Sequence, residues 1–102
     1  MRLTPLQVDA IRVAATNHFG QNSQVWLFGS RVNKHAKGGD IDLYIETEIQ
    51  DAAELIESKL HFLVELHKKL GDQKIDVVIR YIDSEKDLPI FHLARETGIQ
   101  LL

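Results

Sequence analysis

The chain has 102 residues, a formal charge of −3 and the composition of an ordinary soluble protein, 44% hydrophobic and 26% charged. That length predicts one domain, residues 1–102, with a modest core, and the acidic balance argues against a dedicated duplex-DNA binder. The absence of cysteine excludes disulfides and thiolate zinc sites, no apolar stretch reaches bilayer length, and the start MRLTPLQVDA lacks a signal-peptide core, so the expected compartment is the cytoplasm.

Thr4-Pro5 reads as an N-cap followed by proline at the first helical position. Leu6, Val8, Ile11, Ala14, Ala15 and His18 or Phe19 then form a helical stripe ending near Gly20. Val25 to Phe28 is a short buried strand, with Trp26 most simply in the core. Gly29-Ser30 makes a turn, and Arg31 to Gly39 reads as a short helical turn relaxing into a basic loop. A second strand covers Ile41 to Glu46, after which Asp51 caps a long helix that Gly71 stops. In that helix Ile56, Leu60, Leu63, Val64, His67 and Leu70 recur at helical spacing, and Leu55, Phe62 and Leu66 widen the apolar face. The extra width serves either the core or a partner, and exposed leucines would decide which. Lys74 to Arg80 is a third strand, Pro89 to Thr97 a short helix closed by Gly98, and Ile99 to Leu102 a strand stub at an edge. The expected class is α+β in two layers: a small mixed sheet of three to four strands with helices packed on one face.

Alternation in the second strand is strict. Ile41, Leu43 and Ile45 fall on one face; Asp40, Asp42, Tyr44 and Glu46 fall on the other. Residues two apart on a strand lie roughly 6.5–7 Å apart on the same side, so Asp40 and Asp42 repel one another unless a cation lies between them. Asp76 has the same outward phase in the third strand, and joins them if the second and third strands are neighbours. Hard divalent cations such as Mg²⁺ take carboxylates and phosphates as ligands. The Gly29-Ser30 turn suits the phosphate: glycine admits close backbone approach, the Ser30 hydroxyl donates, and Arg31 either neutralises phosphate or pairs with one of the acids.

Gly29-Ser30, a spacer, Asp40-Ile41-Asp42 and a later Asp76 resemble the nucleotidyltransferase superfamily that includes DNA polymerase β. The chain's size is similar to that of its minimal members, the stand-alone domains paired with HEPN-domain proteins. The spacer from Arg31 to Gly39, nine residues, is one shorter than is common among them and bears on the loop's contacts to nucleotide. The resemblance implies a polymerase β-like nucleotidyltransferase fold and two Mg²⁺ ions held by Asp40, Asp42 and Asp76. Asp76 orients and deprotonates an acceptor hydroxyl, and Gly29 and Ser30 form the triphosphate cradle. It further implies transfer of AMP from ATP, with pyrophosphate released, to a tyrosine of a HEPN toxin in a heteromeric complex, the chain acting as antitoxin.

Two rival readings stand beside it. One is a binding module that inhibits a HEPN RNase by complex formation alone. The other is a nucleic-acid-directed nucleotidyltransferase subunit, against which the acidic balance and the lack of a basic, aromatic-studded groove both count. Lys34, His35 and Lys37 read as a solvated loop rather than a nucleotide contact. His61 and His67 lie on different faces of their helix and make no zinc pair; His18, His67 and His92 read as partly buried.

Overall fold

The computed structural model of the chain describes residues 2–32 and 39–102. Helix α1 spans Pro5–Phe19 and starts at a capping box: the Thr4 hydroxyl accepts from the Gln7 amide at 3.1 Å, and the Gln7 side chain accepts from the Thr4 amide at 2.8 Å. Strand β1, Gln24–Phe28, runs into a 3-10 turn at Gly29–Val32. Strand β2 is Ile41–Thr47, α2 is Ala52–Leu70, β3 is Ile75–Tyr81, α3 is Pro89–Thr97 and β4 is the stub Ile99–Gln100. Asp51 caps α2 by accepting from the Glu54 amide at 2.9 Å.

The sheet order is β3-β2-β1-β4. β1 is antiparallel to β2 and to β4, whereas β2 and β3 run parallel, as a crossover through α2 requires. On one face Val25, Leu27, Ile41, Leu43 and Ile45 meet Ile11, Ala14, Ala15 and Phe19 of α1 and Phe62 and Leu66 of α2. The Phe19 and Phe62 rings meet edge to face at 5.3 Å and fix the two helices against each other. Leu6, in the first turn of α1, lies outside this packing and is 82% exposed.

The two long helices thus share one face, as the strand pattern implies. The short α3 lies across part of the other, where Phe91 and Ala94 cover Trp26, Phe28 and Tyr44. The reason is size: these aromatics occupy the second phase of their strands, and each is worth about 1.5–3 kcal/mol when taken from water. Gly98 lets α3 turn into β4. Its φ of −83° is ordinary, but a Cβ there would sit 2.2 Å from the Ala94 carbonyl oxygen and 2.8 Å from that of Leu27, both backbone atoms that cannot swing away. Gly98→Ala is therefore expected to destabilise the protein by about 2–3 kcal/mol, lowering the midpoint of thermal unfolding by roughly 10 °C or more. An unchanged midpoint would show that this corner has slack. Among the described residues no helix is long and apolar enough to cross a membrane.

Candidate active site

Strand register brings the acids together. Asp42 pairs across β1 with Phe28 and across β3 with Asp76, so the two carboxylates stand side by side on neighbouring strands, which are about 4.8 Å apart. β3 lies beside β2 because α2 returns the chain parallel to it, and that connection is what turns a pair of acids 34 residues apart in sequence into neighbours. Asp42 is half-buried and Asp76 exposed. Asp40 sits just before β2, and one of its carboxylate oxygens lies 3.5 Å from Nζ of Lys74, the residue just before β3.

Gly29 closes the site from the side of β1. Its φ of +75° belongs to the left-handed region, and a Cβ would stand 2.3 Å from Oδ2 of Asp42. The turn backbone therefore lies directly against the carboxylate. Ser30 follows within the 3-10 turn; its side chain, like the expected loop residues Lys34, His35 and Lys37, lies outside what the structure describes.

The electrostatics are those of crowded negative charge. Burial raises the pKa of Asp42 above the ordinary 3.8, and the charges of Asp76 and Asp40 and a hydrogen bond to Asp76 raise it further, with Lys74 partly offsetting them. Removing those charges, or bringing a cation to them, relieves the repulsion. The donors are hard oxygens, which suit Mg²⁺ and its preference for one or two carboxylates plus phosphate. Among the described residues no group of three or more acids or histidines is arranged as a ready-made metal cage. The close pair is Asp42 and Asp76, with Asp40 turned toward Lys74.

Arg31 does something the sequence did not suggest. Its guanidinium donates to the carbonyls of Arg2 at 3.0 Å and Gly39 at 3.3 Å and to the side-chain oxygen of Gln73 at 3.3 Å. It brackets the N-terminal segment, the residue before Asp40 and the approach to β3, rather than lying on an acid. Nothing in the local sequence marks these long-range partners.

A second polar group, also missed, holds α3 in place. The Tyr44 hydroxyl donates to Oε2 of the buried Glu46 at 2.6 Å, and Nη1 of Arg95 lies 3.5 Å from the same oxygen. Arg95 covers the Trp26 ring and Arg80 the Phe91 ring, each 5.1 Å from the centroid. Burial and the bond to Glu46 push the Tyr44 hydroxyl well above its usual range, so it remains a donor throughout the physiological window. The available signal was phase: Tyr44 and Glu46 continue the Asp42 face of β2, and Arg80 pairs in register with Glu46.

The nucleotidyltransferase domain model matches residues 11–96, from the middle of α1 to the penultimate residue of α3. The chain belongs to the nucleotidyltransferase domain family. The match spans both arms of the site, the Gly29 turn with β2 and the later β3. Curated protein sequences yield no match to the chain. The polymerase β-like fold implied by the residue pattern is the fold observed, and the enzyme is a transferase of nucleotidyl groups.

Proposed function

We propose that this nucleotidyltransferase moves AMP from ATP to a protein hydroxyl, a tyrosine of a HEPN-domain partner, and so acts as the antitoxin of that partner. One observation carries the reading: Asp42 and Asp76 in register on parallel strands, with the Gly29 backbone packed against Asp42. Mg²⁺, held by Asp40, Asp42 and Asp76, supplies neutralisation of the triphosphate and a lowered acceptor pKa. For Asp40 this requires only rotation of an exposed side chain away from Lys74.

The chain's own part is positioning and proton handling. The Gly29-Ser30 backbone cradles the polyphosphate beside Asp42, against which the missing Cβ lets the turn pack. Asp76, at the open edge of the site, accepts the proton of the acceptor hydroxyl. The acceptor oxygen attacks the α-phosphorus in line, the bond to the bridging α–β oxygen breaks, and pyrophosphate leaves with that electron pair. A domain this small has little surface with which to grip an acceptor, so the acceptor's own fold must present the hydroxyl. The acidic balance favours a protein acceptor over a nucleic acid.

The test is intact-mass spectrometry of the product of the adjacent gene after incubation with this chain, ATP and Mg²⁺. The expected result is a gain of one or more AMP units on a tyrosine. Inhibition of the partner with no mass change would replace this reading by a purely binding antitoxin, and radiolabel from ATP appearing on added RNA would replace it by a nucleic-acid-directed enzyme.

A further inference from the structure

We infer that the nucleoside of the bound triphosphate lies against the flank of α3 that faces the acids, with Ile90 and Leu93 as its apolar wall. The inference rests on the transfer reading above and adds to it the place and the chemistry of the nucleoside subsite.

Contacts within the chain fix which flank that is. Phe91 stacks on Tyr44 with ring centroids 5.6 Å apart, and Arg95 covers Trp26 and reaches Glu46. On this face of β2 the residues run Asp42, Tyr44, Glu46. The helix therefore crosses the strands over Tyr44 with its Arg95 side toward Glu46, away from the acids. At 3.6 residues per turn Ile90 stands about 140° and Leu93 about 160° round the helix from Arg95, so both lie on the side toward Asp42.

That side reaches the site. Phe28, the β1 partner of Asp42, packs in one cluster with Phe91 and Ala94. Ile90 packs on the same cluster beside Val78, which follows Asp76 on this face of β3. Ile90 is half-buried, and Leu93 is 52% exposed.

In-line displacement decides what meets this wall. In the transfer reading the polyphosphate tail lies on the Gly29 turn after β1, and the acceptor hydroxyl lies at Asp76 on β3. The attacking and leaving oxygens are then aligned across the strands. The oxygen that carries the ribose lies off that axis, so the nucleoside leaves the α-phosphorus along the strands or away from the sheet. Toward the start of β2 and β3 the described side chains are charged: Asp40, Lys74, and Arg31 bonded to Gly39 and Gln73. Toward α3 they are apolar, and a nucleobase that turns that way removes apolar surface from water on both sides. Thr97, on the same flank, donates its hydroxyl to the Leu93 carbonyl at 2.6 Å, so the wall holds the nucleoside by area.

Calorimetric titration without acceptor tests this, comparing ATP with inorganic tripolyphosphate, each with Mg²⁺. Leu93→Ser, with unchanged circular dichroism, is expected to raise the dissociation constant of ATP at least about fivefold. Tripolyphosphate has no nucleoside, and its binding is expected to stay the same. Leu60→Ser removes a leucine of similar exposure, 58%, from α2 on the far side of the sheet and is expected to change neither ligand. Equal weakening of both ligands by Leu93→Ser, or of neither, overturns the inference. So does a loss confined to the KM of the acceptor, which assigns the wall to that molecule. A wild-type protein that binds neither ligand removes the transfer reading itself, whereas tripolyphosphate and ATP binding that ignore Leu93→Ser refute the nucleoside subsite alone.

Discussion

Asp42→Asn is expected to lower nucleotidyl transfer by at least about 10³-fold, roughly 4 kcal/mol of transition-state stabilisation, while leaving the nucleotide-free protein more stable than the parent. The two effects have one origin. Asp42 is half-buried beside Asp76 and near Asp40, and burial and these neighbours hold its pKa above 3.8. The folded state therefore binds that proton more tightly than the unfolded chain does. The sign follows: from this group, stability is lost as pH rises from 3.8 through the raised value, and the cost persists at neutral pH. Asparagine removes the charge, keeps the shape and abolishes the cost. Thermal melts with and without the substitution, beside transfer assays, check both halves. A less stable Asp42→Asn protein would mean that the carboxylate is a structural anchor instead.

Gly29→Ala is expected to cost transfer at least about 10²-fold, the penalty for displacing a reacting geometry by an ångström, but to cost stability only about 1–2 kcal/mol, the strain of an L-residue in the left-handed region. The new Cβ would stand 2.3 Å from Oδ2 of Asp42. That oxygen is the free end of a side chain, so it rotates away cheaply; the fold survives while the carboxylate leaves its place beside Asp76. Transfer kinetics and thermal unfolding of the same preparation separate the two losses. Activity that falls only in proportion to the unfolded fraction would contradict the account.

The sequence made the site legible because its signals are local and periodic. Strict alternation from Ile41 to Glu46 fixed the phase of Asp42, the repeat of that alternation from Lys74 to Arg80 fixed the phase of Asp76, and only the adjacency of the two strands had to be assumed. The order of elements, the caps at Thr4 and Asp51 and the edge stub at Ile99 were readable for the same reason.

What escaped depends on contacts between distant segments. Tyr44 looked like an outward residue of the acidic face, yet α3 buries it completely, because a nine-residue helix with Phe91 and Ala94 one turn apart does not declare which surface it will cover. Arg31 read by position as either a phosphate ligand or the partner of an acid; the contacts it makes within the chain, to Arg2, Gly39 and Gln73, are with segments its local sequence does not mark. In α2 a broad apolar face separated into two, Phe62 and Leu66 inward and Ile56, Leu60 and Val64 outward, a division that depends on where α1 lies. His67 and His92, read as partly buried, are exposed, since both project from the outer sides of their helices, whereas His18 is held half-buried by Glu65.

The claim beneath all of this is that the carboxylates of Asp42 and Asp76, with Asp40, hold divalent cations next to a polyphosphate lying on the Gly29 turn. Electron paramagnetic resonance of Mn²⁺, titrated into the protein with ATP present, measures this directly. The account predicts that the wild-type protein depletes the free-ion signal beyond what ATP alone does, that Asp42→Asn abolishes the excess, and that Asp76→Asn weakens it. An excess of the same size in Asp42→Asn, or no excess in the wild-type protein, would contradict it.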